Sequence, residues 1–461
     1  MPLTLLNCDK SIPERKKHTY VKDSTEEILP LCNIQTTPGD FTERGCTYAG
    51  CMGVVGGPVK DVIHLVHGPI GCAYWTWGGG TRPNLSDNPQ FHQKYCFSTD
   101  MQEKNIIFGG NEKLYNAIIE SYKEFPEAKG VFVYATCTIG LIGDDIKAVC
   151  KQAEEEIGIK VVGFNCEGFR GCSQSLGHHI ANDTLFEQVV GTKEPEYTTD
   201  YDMNIMGDYN IKGDLWVIKP LFERMGIRIL STFTGNSSID DIAQAHRAKL
   251  NLMHCQRSTP YICELIKEKY GIPYIKESLF GIEQTSKALR DVAAFFRLEE
   301  KAEEVIADEV SKIDPKIEEY RRKFEGKRIF IYQGAPRAWH WVRMFREIGI
   351  ETIAAATTFG HEEDYAKICE RVKDGTIIID NPNAIEIEEI LTELRPDIFI
   401  SGLKEKYLAY KLGIPFINGH SYETGPYAGY SGLLNFAKDI EKAIFAPVWS
   451  MIRRRDAKCN Y

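Results

Sequence analysis

From about residue 41 onward, short apolar runs alternate with amphipathic stretches in a steady rhythm. The run Lys129-Gly130-Val131-Phe132-Val133-Tyr134-Ala135-Thr136-Cys137 predicts a strand buried on both faces. Residues 144–156 predict the helix that follows, with acids in the first turn where the helix dipole favours them. Residues 160–166 predict the next strand. Strand, loop, helix, strand means βαβ units and a parallel sheet. The rhythm recurs twice. Residues 201–210 and 227–235 open a second set of strands, and residues 327–334, 351–355, 375–379 and 397–402 supply a third. Residues 285–325 predict a long charged helical stretch suited to an interdomain connection. The predicted fold class is α/β, with three doubly wound parallel-sheet (Rossmann-like) domains over residues 41–200, 201–325 and 326–461. Residues 1–40 are weakly periodic, carry prolines and a basic patch, and predict an arm that wraps a neighbour or the body of the protein.

Length agrees with that division, since 461 residues exceed what one ordinary core supports. The balance of 43% hydrophobic and 26% charged residues is that of a globular protein. A net charge of −10 leaves no basic stripe to neutralise phosphates, which argues against nucleic acid as a partner. No apolar run approaches the ~18 residues that span a bilayer, and no signal peptide is evident, so no membrane role and a cytoplasmic location are expected. Fourteen cysteines then need an explanation, because a reducing compartment disfavours disulfides. They form no CxxC pair. Cys150, Cys263 and Cys369 lie in helix-like stretches and read as small buried hydrophobes.

Other cysteines stand where chemistry is expected. Cys255 follows the apolar run Leu250-Asn251-Leu252-Met253, and His420 follows Ile414-Pro415-Phe416-Ile417-Asn418-Gly419. Both positions are carboxyl ends of predicted strands, the edge at which open α/β sheets bind ligands. A lone His is ordinarily structural, and one thiolate with one imidazole cannot close a tetrahedral zinc site. They could hold the two ends of a large preformed cluster. Cys46, Cys72 and Cys137 sit beside glycines, which let backbone approach a bulky inorganic core. Iron–sulfur clusters ordinarily take four thiolates, and three is one short. The fourth could be Cys51 or Cys96, a second polypeptide could complete the cluster, or the three could be structural. The polar run after Cys166 places Gln174, His178 and His179 close together, which suits either proton relay or a capped helix with a buried His. Arg337 and Lys404 follow other strands and could neutralise an anionic ligand or be solvated charges.

Taken together, these residues resemble the α subunits of the nitrogenase catalytic component over nearly the whole chain from about residue 41. The resemblance implies that Cys46, Cys72 and Cys137 are the α-subunit ligands of the P-cluster (8Fe-7S), the β subunit supplying the other half. It implies that Cys255 and His420 anchor the active-site iron–sulfur cofactor, lying between the domains, with molybdenum (alternatively vanadium or iron) and homocitrate. Val54 matches a side chain gating a reactive face, and Gln174 and His178 match residues near homocitrate and the substrate-binding sulfides. Ser258 matches the hydroxyl beside the cofactor cysteine, Gly334, Arg337 and Phe359 match pocket-lining positions, and Lys404 matches the homocitrate-anchoring lysine. An α2β2 heterotetramer and a separate ATP-hydrolysing iron protein are implied as partners, in keeping with the absence of a G-x-x-x-x-G-K-[ST] loop here.

Departures from the pattern are visible. Arg82 stands shifted from a basic residue that the family places after the second cysteine, Ala335 replaces a pocket glycine, Thr138 a proline, and Tyr422 a tryptophan. The stretches around Pro336 and Phe359 look like the vanadium and iron-only branches, whereas those around Gln174 and Lys404 look like the molybdenum branch. Two related functions are rivals: a cofactor-assembly scaffold without turnover, and a nitrogenase-like reductase of thioethers.

Overall fold

The computed structural model describes residues 18–25, 45–78, 96–170, 174–358, 360–420, 422–449 and 451. Its fourteen described strands build three sheets. The first has the order β3-β2-β4-β5, from β2 (Val62–His67), β3 (Cys96–Ser98), β4 (Gly130–Ala135) and β5 (Lys160–Phe164). The second has the order β7-β6-β8-β9, from β6 (Asp202–Asp208), β7 (Arg228–Thr234), β8 (Leu250–Met253) and β9 (Tyr274–Lys276). Every pairing in both is parallel. The third has the order β1-β12-β11-β10-β13-β14, from β1 (Thr19–Val21), β10 (Arg328–Gly334), β11 (Glu351–Thr358), β12 (Ile377–Asp380), β13 (Ile398–Ser401) and β14 (Phe416–Asn418). It is parallel except for β1, which joins β12 antiparallel at the edge. The α/β class with parallel sheets is therefore as the alternation of apolar runs predicts.

The chain falls into two compact units: Arg44–Ser278 with Lys287–Val305, and Met1–Glu43 with Leu279–Ser286 and Ile306–Tyr461. Within the former, the two four-stranded sheets share one apolar core, in which Phe132, Tyr134 and Phe164 meet Met206, Phe233 and Met253. In the latter, Phe330, Ala354, Ile377 and Phe399 anchor the core on the six-stranded sheet. Central strands such as β4 and β6 are buried at every position, which explains the unbroken apolar sequence of β4; β6 buries Asp202, Asn204 and Asp208 as well.

Local differences from the predicted elements have simple causes. The helix after β4's loop spans Ile146–Ile157, because Asp145 caps it by accepting from the Ala148 amide, leaving Asp144 outside to accept from the Gly110 amide. The charged stretch over 285–325 is two helices, Ile282–Phe296 and Glu299–Lys323, with Arg297 at φ 59° between them. Arg337, expected in a loop, lies in the first turn of the helix Ala335–Glu347. Pro336 beside it needs no hydrogen-bond partner for its nitrogen and its fixed φ starts the helix. Among the described residues no helix is long and apolar enough to cross a membrane.

Candidate metal centres

Cys46, Cys72 and Cys137 all lie at or near the start of short helices. Cys46 is the N-cap of Thr47–Gly50, Cys72 lies in Ile70–Ala73 directly after β2, and Cys137 opens Cys137–Ile142 directly after β4. A sulfur at a helix start meets backbone N–H groups with no partner inside the helix; the Ala49 amide donates to the Cys46 sulfur at 3.4 Å. The sulfurs of Cys137 and Cys46 lie 2.9 and 3.5 Å from one point, the place that a Cβ on Gly168 would occupy. Only a glycine leaves both thiols room there. Hydrogen bonds join the three loops. The Tyr48 hydroxyl contacts the Thr76 hydroxyl at 2.8 Å and donates to the Cys72 carbonyl at 3.2 Å, and the Thr136 hydroxyl donates to the His67 carbonyl at 3.0 Å.

Burial raises the Cys46 thiol above its ordinary pKa, and the neighbouring Cys137 adds to the effect. Burial raises Cys72 likewise, with Cys137 and Cys46 contributing. Packing thiolates this close is unfavourable without a cationic partner, so a metal bound there would release protons. Among the described residues no three His, Cys, Asp or Glu side chains group around a single ion. The thiols instead line a rim, with Cys46 and Cys137 exposed. Large apolar side chains surround it in solvent: Ile70, Tyr74, Trp75, Leu141 and Phe169. Such a patch marks a surface made for contact. Cys51 lies buried in the core and Cys96 is half-buried.

Cys255, in the same unit, is set differently. Its amide and that of His254 both donate to the Met206 carbonyl, so the turn after β8 folds back onto β6. Gly207, at φ 87°, makes this possible, because a Cβ there would overlap the Cys255 Cβ. The Ser258 amide donates to the Cys255 sulfur at 3.4 Å, the Tyr209 hydroxyl donates to the Ser258 hydroxyl at 2.6 Å, and the Asn182 amide donates to the Ser258 carbonyl at 2.6 Å. Asn182 belongs to the helix Gln174–Gln188, which carries half-buried Gln174 at its start and buried His178 one turn on. That helix docks through glycines: a Cβ on Gly50 would overlap the Gln174 carbonyl, and one on Gly177 the Thr47 carbonyl. One helix thus touches both the Cys46 helix and the Cys255 turn. Val54 lies half-buried on the π-helical turn Cys51–Gly56, whose Val55 carbonyl accepts from the Thr234 hydroxyl.

In the other unit, His420 follows β14 and is exposed, and its amide donates to the Asn418 side chain at 3.0 Å. A Cβ on Gly402, just past β13, would lie 3.3–3.4 Å from the His420 ring. Exposed Lys404 stands two residues further on. Arg337 donates to the Gly419 carbonyl at 2.9 Å and faces the rings of Trp341 and Tyr422 at 5.5 and 5.8 Å. Gly334 caps the Arg337 helix, and a Cβ there would meet nothing within 4 Å. Phe359 and Arg82 lie outside the described residues. The structure groups Gly334, Arg337, Lys404 and His420 in one unit, and Cys255, Ser258, Gln174, His178 and Val54 in the other together with the three rim thiols. Sequence reasoning missed Gly168, Gly207, Asn182 and Tyr209 as supports. A glycine inside the apolar run of β6 is the one local signal that could have found Gly207.

Comparison with known proteins gives consistent results. A sequence model described as Nitrogenase component 1 type Oxidoreductase matches residues 46–445. The chain is 50% identical over 463 residues to the nitrogenase molybdenum-iron protein alpha chain of Methanothermobacter thermautotrophicus, covering 98% of this chain and 99% of that one. It is 43% identical over 432 residues to the nitrogenase iron-molybdenum cofactor biosynthesis protein NifE of Methanococcus maripaludis, covering 93% and 89%. A solved structure titled Nitrogenase Cp1 at pH 5 superimposes with a TM-score of 0.90 at 39% identity, covering 96% and 98%.

Proposed function

Because the chain belongs to the nitrogenase component 1 type oxidoreductases, we propose that it serves as the α subunit of a nitrogenase that reduces dinitrogen to ammonia and evolves hydrogen alongside. Members of this family carry a P-cluster and a FeMo-type cofactor. The β subunit, in an α2β2 assembly, and a separate ATP-hydrolysing iron protein are the partners of this reading.

The single observation that carries it is the thiol rim. Cys46 and Cys137 bring their sulfurs around the side-chain-free position of Gly168, and exposed apolar residues ring them. This fits half of a bulky iron–sulfur centre whose remaining ligands come from a second polypeptide, so Cys46, Cys72 and Cys137 would hold the P-cluster. The second centre would be held by Cys255 and His420, with molybdenum as heterometal (vanadium or iron being the alternatives) and homocitrate. The preorganised Cys255 turn suits a thiolate ligand, and in the unit of His420 the open space at Gly334 leaves room for a bulky group. When bound, that centre supplies the electron storage and the reducing sites.

The chain's own residues do the rest. Ser258, fixed by Tyr209 and Asn182, orients its amide toward the Cys255 sulfur, and such donation tunes a thiolate ligand. Arg337 and Lys404 place positive charge in the unit that carries His420, suited to an anionic core and an organic acid. Gln174 would orient the organic acid. His178 would donate a hydrogen bond or a proton, its imidazole shielded from bulk water by burial. Val54 would restrict access sterically, with Gly334 and Phe359 lining the pocket.

The test is elemental analysis of the purified complex and its Cys255→Ala variant. The variant should keep P-cluster iron and lose the heterometal; unchanged heterometal content would refute the ligand assignment. The NifE relative favours one second reading, a cofactor-assembly scaffold. Such a protein, given the iron protein and ATP, would reduce neither acetylene nor protons.

A further inference from the structure

Gln333 is the penultimate residue of β10, 2% exposed, and among the described residues neither its side-chain nitrogen nor its side-chain oxygen has a hydrogen-bond partner. An amide stripped of water and left unpaired is costly, and a leucine of similar size would fill the position without that cost. What surrounds it points to a ligand. Its Nε2 lies 2.5 Å from the place that a Cβ on Gly419 would take, so the amide abuts the backbone of the residue just before His420. The Trp341 ring flanks the same spot at 2.7 Å, and the indole Nε1 is likewise buried and unpaired. The Gly419 backbone has other partners: its amide donates to the Ser401 carbonyl at 2.8 Å and its carbonyl accepts from Arg337 at 2.9 Å. The Gln333 amide nevertheless bonds to neither group.

We propose that Gln333 is a positioning residue whose side-chain amide hydrogen-bonds the acceptor periphery of the metal–sulfur centre ligated by His420, an inorganic sulfide or a carboxylate oxygen of its organic acid. This rests on the assignment of His420 as a ligand. Arg337 supplies charge to the same segment, whereas Gln333 supplies neutral N–H groups of fixed direction. Such donors stabilise electron-rich sulfide without adding a charge, and so shift the centre's electronic properties.

The experiment uses the assembled complex, purified once from a host that inserts the active-site cofactor and once from a host that cannot make it. In the cofactor-free complex Gln333→Leu removes an unpaired amide, so its melting temperature should rise by about 2–4 °C. In the loaded complex the same variant should shift the cofactor's electron paramagnetic resonance line positions and lose cofactor to a chelator about 10-fold faster. A lower melting temperature in the cofactor-free variant, or an unchanged spectrum in the loaded one, overturns the proposal. Gln333→Met, closer in shape, gives the same readings if the leucine variant does not assemble. His420→Ala is carried in parallel. If it retains its cofactor, the ligand assignment itself fails and this proposal with it. If it loses cofactor while Gln333→Leu changes nothing, only the role of Gln333 is lost.

Discussion

The rim of Cys46, Cys72 and Cys137 and the turn of Cys255 occupy the same compact unit but solve opposite problems. At the rim, exposed Cys46 and Cys137 and half-buried Cys72 stand among exposed Ile70, Tyr74, Trp75, Leu141 and Phe169. At the turn, a single half-buried thiol is held by an amide from Ser258, which Tyr209 and Asn182 hold in turn. In the proposed reading the rim is half of an interface and gains its definition from what docks there. The turn is defined before anything binds. Precision at a ligand comes either from a partner or from a second layer of hydrogen bonds, and the turn shows the second.

The largest effect should come from attacking the rim. Cys137→Ala removes a sulfur that converges with Cys46 on Gly168, and the purified complex should lose most of its P-cluster iron by elemental analysis. Retention of full iron content would show that the rim does not hold a cluster. Next comes the turn's backbone. Gly207→Ala places a methyl group on the Cys255 Cβ at a φ of 87°, which should cost at least about 2 kcal/mol and lower the melting temperature by several degrees. An unaltered melting curve would mean that the turn is less fixed than its geometry implies.

A third change separates stability from metal binding. Asp61 sits just before β2, and burial raises its carboxyl to about 6 although the Ile239 amide donates to it at 2.9 Å. A folded pKa above the unfolded value means that the charged form opposes folding, so stability is full below about pH 4 and falls as pH rises through about 6. Asp61→Asn should therefore stabilise by about 1–3 kcal/mol at pH 7.5, with no gain at pH 4 and no change in iron content. Equal melting shifts at both pH values would contradict this. The smallest effect belongs to Tyr209→Phe, which deletes one hydroxyl from the support of Ser258 and should cost about 1 kcal/mol. Its signature would be altered cofactor spectra with unchanged P-cluster spectra, and the reverse pattern would exclude Tyr209 from the Cys255 turn.

Much of this molecule was legible from the chain alone. Unbroken apolar runs such as that of β4 read as strands covered on both faces, and their alternation with helices pointed to parallel sheets. The cysteines beside glycines and the strand-end positions of Cys255 and His420 are local properties, fixed by residue type and neighbours. What no local pattern could carry is the convergence of distant residues. That Gly168 leaves room for two sulfurs from elsewhere in the chain, that Asn182 reaches Ser258, and that Gln333 lies unpaired against Gly419 depend on how loops are stacked by strand order. Strand order is set by packing across the sheets and not by the sequence of any one strand. Periodicity therefore decided most of the elements, and only the tertiary fold decided which side chains share a site.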